Sequence, residues 1–132
     1  MLKEGLTFEM KKIVTENDTA AKVASGAVEV FATPIMIAFM ENTALNLAKP
    51  HLEDEYTTVG TKVNVKHLKA TLVGAEVVCK AELKKVDGKR LLFEVKVFEG
   101  DILVGDGEHE RYIVNEEKFI KNLQKNSWFF IC

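Results

Sequence analysis

The chain reads as an α+β protein in which a curved antiparallel sheet wraps around one long central helix, and three observations predict it. The first is VEVFATPIMIAFMENTALNLAKP, residues 28–50, where Glu41 is the ionisable residue between Glu29 and Lys49. A helix that is apolar nearly all round has no face to give to water and must be enclosed. The second is the close succession of alternating segments that follows it, which read as strands. The third is the turn chemistry between those segments, above all Asp87-Gly88, a strong hairpin signal.

Taken in order, LTFEMKKIVT (6–15) alternates in part and reads as an edge strand. ENDTAAKVASGAVEV (16–30) is rich in small residues and reads as a short helix or an irregular crossing. Thr33 suits the N-cap of the apolar helix, and Pro34 suits its first helical position, where a missing N–H is no loss. Lys49-Pro50 ends it, because proline disfavours helix in the residue before it. TTVGTKVNVKHL (57–68) places Val59, Val63, Val65 and His67 on one side and Lys62, Asn64 and Lys66 on the other. AEVVCKAELKKV (75–86) and RLLFEVKVFEG (90–100) form the hairpin, and ILVGDGEHERYIVN (102–115) follows a Gly-Asp turn. These four strands are expected to form a meander. EEKFIKNLQK (116–125) has helical period, with Phe119, Ile120 and Leu123 on one stripe. A curved sheet wrapped on a single helix is the hot-dog arrangement, expected here as one domain over residues 1–132. One such sheet leaves strand edges unpaired, and dimerisation is the expected remedy.

Composition narrows the classes of function. A formal net charge of −2, with lysines spread among acids, argues against nucleic-acid binding, which calls for a basic face. The longest uncharged stretch, Val30 to Met40, is too short to span a bilayer, so no membrane partner is expected. MLKEGLTFEM has no apolar core of a secretory signal, and the expected location is the cytoplasm. Cys79 and Cys132 do not make a disulfide framework and read as unpaired thiols. Neither has a Cys or His at ligand spacing, so no metal site is expected. The tail NSWFFIC is mostly apolar and either packs on a dimer or forms an exposed patch.

Three residues could carry chemistry. His67 shares a strand face with Val63 and Val65, so its imidazole points toward the helix, as a core histidine or as a general base. Glu41 lies mid-helix, where a carboxylate is costly unless it is paired, partly exposed or functional. Thr33 marks a helix start, whose outward N–H groups could stabilise an oxyanion. Thr33 and Glu41 are eight residues apart. At about 1.5 Å of rise per residue they stand roughly 12 Å apart along the helix. They can hardly touch one atom, so a substrate lying between them, or a Glu41 contributed by a partner chain, fits better.

The segments SGAVEVFATPIMIAFMENTA, TTVGTKVNVKHLKATLVGAEV, VDGKRLLFEVKVFEG and GEHERYIVNEEKF together resemble the fluoroacetyl-CoA thioesterase-like family of hot-dog proteins. The resemblance runs from about Asp18 to Phe119, and it rests on a combination of motifs. These are VFATP with Glu eight residues after its Thr, TVGT with His seven residues after its Gly, and G-x-H-E-R. It implies hydrolysis of a short acyl-CoA thioester to free acid and CoA, at a site shared by two subunits of a homodimer or tetramer. It implies no cofactor beyond the CoA of the substrate. Thr33, Glu41 and His67 stand at the family's catalytic Thr, Glu and His, while Gly60, Arg111 and Pro34 are the candidate substrate contacts. Gly60 would present backbone to the acyl group or thioester. Arg111 would contact the CoA phosphates, or hold Glu110 or a strand end. One departure matters: the fluoroacetyl-specific enzyme has an aromatic lid residue six positions before the motif Thr, and here that position is Ala27. The expected substrate is therefore a general short-chain or small branched acyl-CoA. An acyl-CoA hydratase or dehydratase, and a non-catalytic acyl-CoA-binding module, are the alternatives.

Overall fold

The computed structural model describes the backbone of residues 2–131 and the side chains of residues 2–125. Its strands are β1 (Thr7–Ile13), β2 (Tyr56–His67), β3 (Glu76–Asp87), β4 (Arg90–Glu99) and β5 (Ile102–Asn115). They form one antiparallel sheet in the order β1-β3-β4-β5-β2. The sheet curls around helix α1 (Thr33–Ala48), and a second helix, α2 (Glu116–Ile131), continues from β5. Alternation of apolar side chains dictates the inner face: Val77, Cys79, Ala81 and Leu83 of β3, and Leu91, Phe93, Val95 and Val97 of β4, are all buried. Against them α1 sets Met36, Phe39, Met40, Ala44 and Leu47. Each large side chain so buried contributes about 1.5–3 kcal/mol. Thr43, also in this interface, satisfies its hydroxyl on the Phe39 carbonyl (2.8 Å). Burial pushes the thiol of Cys79 up to about 11, so this free cysteine is an inert core residue.

Both hairpin turns are two-residue loops opened by a glycine with positive φ. Gly88 (φ 59°) joins Asp87 to Arg90, and Gly100 (φ 59°) joins Glu99 to Ile102. The four strands after α1 are not a simple meander, however. Only β3, β4 and β5 follow one another; β2 pairs with β5 and takes the far edge. Residues 68–75 carry the chain back across the start of α1 to the other side of the sheet. They are held there by the Phe31 N–H on the Thr71 carbonyl (2.9 Å) and by the Val30–Leu72 bridge. This crossover lets the sheet embrace the helix from both flanks, which a four-strand meander would not.

Segment 16–30 is the irregular crossing, opened by a short 3-10 turn at Glu16–Asp18. Asp18 accepts from the Thr15 N–H (2.8 Å) and pairs with Lys12 (3.1 Å), while its carbonyl accepts from the Ala32 N–H (2.8 Å). One buried aspartate thus fixes the approach to α1.

β2 departs from the regular alternation read in the sequence. Gly60 faces Arg111 and Lys62 faces Glu110, so Thr61 is an extra residue forming a bulge. The inner face of β2 therefore changes parity, from Thr58 and Gly60 before the bulge to Val63, Val65 and His67 after it. Val59 lies on the opposite face from His67, not beside it. Among the described residues no helix is long and apolar enough to cross a membrane. Phe119, Ile120 and Leu123 fall on α2 as expected, with Ile120 and Leu123 exposed. The tail side chains at 126–132 lie outside the described residues.

Candidate active site

Thr33 is the first residue of α1, not its cap. Ala32 occupies the cap position and makes no side-chain capping bond, so Pro34 falls in the second helical position. The Thr33 hydroxyl is consequently free of capping and meets His67 Nδ1 at 2.8 Å. Two glycine and aromatic contacts bring this about. His67 ends β2 opposite Gly105, where a Cβ would strike Met36 Sδ at 2.6 Å and the Lys66 carbonyl at 2.9 Å. The missing side chain lets the first turn of α1 close onto the sheet. The buried Phe31 ring then meets the imidazole edge-on, with centroids 6.2 Å apart and an interplanar angle of 81°.

Burial lowers the pKa of His67, and the Lys69 carbonyl only partly offsets this, so the imidazole is neutral near pH 7. Its Nε2 is buried and has no hydrogen-bond partner among the described residues. The pair opens into a cleft of about 280 Å³, lined by Ala20, Ser25, Phe31, Thr33, His67 and Lys69 among others. Ala27, six residues before Thr33, is exposed, between Gly26 and an exposed Val28. A larger hollow of about 730 Å³ lies at the other end of α1 between Pro50, Leu52, Tyr56, Val86 and Ile113. Among the described residues its lining holds no Thr or Ser beside a base, whereas the smaller cleft holds the Thr33–His67 pair.

Glu41 does not join Thr33 and His67 within one chain. It sits two turns along α1 above Gly60, where a Cβ would meet Glu41 Oε2 at 2.9 Å, His109 Cε1 at 3.2 Å and Arg111 Nη1 at 3.4 Å. Gly60 is thus the gap around which three polar side chains converge. Arg111 is only 6% exposed and holds β2 from inside: Nε donates to Thr58 Oγ1 (2.7 Å) and Nη2 to the Thr58 carbonyl (2.9 Å). It does not hold Glu110, which belongs to Arg90 and Thr61. Nor does its burial suit a contact with phosphates at the surface. Nη1 meets His109 Nε2 at 3.0 Å, and His109 Nδ1 lies 2.8 Å from the Lys62 carbonyl. His109 lies within the G-x-H-E-R motif, from which no role for it is evident. The signal was there in period two: His109 and Arg111 must share a strand face.

A curved sheet around an apolar helix, with a threonine–histidine pair at the helix start, defines a hot-dog protein of the thioesterase type. Comparison with known proteins places it more closely. The sequence profile of the fluoroacetyl-CoA-specific thioesterases matches residues 14–117. The fluoroacetyl-CoA thioesterase of Streptantibioticus cattleyicolor is 40% identical over 91 residues, spanning 69% of this chain and 66% of that protein. The structure of the fluoroacetyl-CoA thioesterase FlK superimposes with a TM-score of 0.89 at 30% identity, covering 95% of this chain and 97% of that one. A variant of it in complex with fluoroacetate and CoA gives 0.85 at 33% identity, covering 89% and 99%. A thioesterase-superfamily protein of Thermus thermophilus gives 0.89 at 26% identity, covering 98% and 96%. The chain belongs to the fluoroacetyl-CoA-specific thioesterase family, and so to the hydrolases of acyl-CoA thioesters.

Proposed function

We propose that the chain hydrolyses short-chain or small branched acyl-CoA thioesters, using Thr33 and His67 of one subunit and Glu41 of the partner subunit. The observation that carries this reading is the 2.8 Å contact between the Thr33 hydroxyl and His67 Nδ1 at the mouth of the cleft. By position, the N–H groups of Thr33 and Ile35 have no acceptor within the helix and face outward with the positive end of its dipole. They suit a thioester carbonyl as it gains negative charge. Neutral His67 takes the proton as Thr33 Oγ1 bonds to the carbonyl carbon. Collapse of the adduct breaks the C–S bond, and the departing thiolate takes that proton from His67. Water then repeats the sequence on the acyl-threonine, releasing the acid and restoring the hydroxyl.

When Nδ1 accepts from Thr33, the proton of neutral His67 sits on Nε2, the atom with no partner among the described residues. A carboxylate there would orient the ring and balance the imidazolium. Glu41 of the same chain stands beside Gly60 instead. Dimerisation through the twelve-residue edge strand β2 would supply Glu41 of the partner subunit and cover that edge.

The cleft volume, about 280 Å³, is at the small end for ligand pockets and suits a short acyl group. Ala27 offers no aromatic surface to test a fluorinated acyl group, so the substrate named for the relatives is not carried over. Free thiol followed against a panel of saturated acyl-CoAs tests the reading. Turnover of acetyl-, propionyl- and isobutyryl-CoA without preference for fluoroacetyl-CoA is expected. Tight binding with no thiol released from any of them overturns it.

A further inference from the structure

We propose that the run His109-Glu110-Arg111 is a clamp on the β2 bulge, and that its three side chains are positioning residues for the Gly60 backbone. The bulge has one extra residue, Thr61, between the pairs Gly60–Arg111 and Lys62–Glu110. Such a bulge has lost its regular ladder bonds and needs other restraints to keep one geometry. From the inner face, Arg111 grips Thr58 before the bulge through both its hydroxyl (2.7 Å) and its carbonyl (2.9 Å). His109 grips the Lys62 carbonyl after it (2.8 Å), and the two side chains are joined at 3.0 Å. From the outer face, the Thr61 hydroxyl donates to the Glu110 carboxylate (2.7 Å), which Arg90 holds from β4. Alternation along β5 sends two of the three side chains inward and one outward, so the bulge is fixed from both faces.

The hydrogen-bond roles leave no freedom. A carbonyl only accepts and a guanidinium only donates, so His109 carries its proton on Nδ1 and presents a bare Nε2 to Arg111. The clamp therefore exists only while His109 is neutral. Protonation would turn Nε2 into a donor facing a cation. Burial and Arg111 oppose that protonation, while the Lys62 carbonyl, Glu41 of α1 and Glu110 favour it; burial, the largest of these, keeps the ring's pKa low.

This inference rests on the thioesterase reading in one respect: Gly60 lies beside Glu41, and where Glu41 joins the shared site the Gly60 backbone would face the substrate there. A clamp of this kind acts on orientation, so its loss should lower kcat with little change in KM. His109→Leu leaves Arg111 and the Lys62 carbonyl without their partner, and His109→Gln restores an acceptor. Thr61→Val loosens the outer face at an exposed position where folding is not at stake. Backbone amide exchange across Gly60–Lys62 is measured beside kcat and KM for each variant. Faster exchange with kcat down roughly tenfold in Thr61→Val and His109→Leu, recovery toward wild type in His109→Gln, and KM within about twofold are expected. Wild-type exchange and kcat in Thr61→Val, or losses confined to KM and thermal stability, would overturn the clamp. Should the wild-type protein hydrolyse no acyl-CoA, the thioesterase reading falls and amide exchange alone decides the clamp.

Discussion

His67 has to be uncharged to take a proton from Thr33, and its surroundings keep it so. Its pKa is lowered by burial, below the ordinary imidazole value of 6.5. A base with a depressed pKa is fully active above that value and is lost only as pH falls through the folded-state pKa. Burial within the chain pulls the His67 pKa below 6.5, and the partner subunit's Glu41 at Nε2 would pull it back up, so Glu41→Gln should leave an imidazole that titrates below 6.5, followed by NMR. A His67 titration unmoved by Glu41→Gln, or moved upward, would contradict that pairing. His67→Ala should lower kcat by about 10²–10⁴-fold in a folded protein, measured by thiol release. The type of these residues was legible in the sequence, because Thr-Pro at a helix start and a His among valines are local features. Their contact was not: it depends on Thr33 being one position inside the helix and on Gly105 letting that turn approach, neither of which leaves a mark in a short window.

At the level of elements, α1 was the plainest feature of the sequence, since a helix apolar nearly all round admits only an enclosed position. The strands and both hairpins followed from alternation and from Gly88 and Gly100. What alternation could not show was the bulge at Thr61, because TTVGTKVNVKHL continues to alternate across it. That one residue moves Thr58 and Gly60 to the inner face and Val59 off it. It decides which side chains meet Glu41. The place of β2 was hidden for a different reason: strand order depends on where residues 68–75 cross the end of α1, and that is a tertiary choice. The α1–β5 approach gives a test at this scale. Gly105→Ala would press a methyl group against Met36 Sδ and, less forgivingly, against the Lys66 carbonyl. A loss of about 1–3 kcal/mol is expected from chemical denaturation, with an unchanged m-value. Wild-type stability in that variant would show that α1 does not depend on this close approach.

The whole chain distributes its candidate residues over two centres on one helix. Thr33 and His67 meet at the start of α1, and Glu41 stands with Gly60, His109 and Arg111 two turns further on. A rigid helix cannot bring the two together, as the spacing in the sequence already implied. In the dimer we propose, a second copy along the open edge of β2, where Val63 is 40% exposed, would bring them together. The direct test is complementation between two inactive chains. A dimer assembled from one His67→Ala chain and one Glu41→Ala chain, isolated through two different affinity tags, contains one complete site if the residues act across the interface. Its thiol release from a short acyl-CoA should then reach about half the wild-type rate, one intact site of two, while each variant homodimer stays inactive. A mixed dimer as inactive as its parents would contradict the shared site.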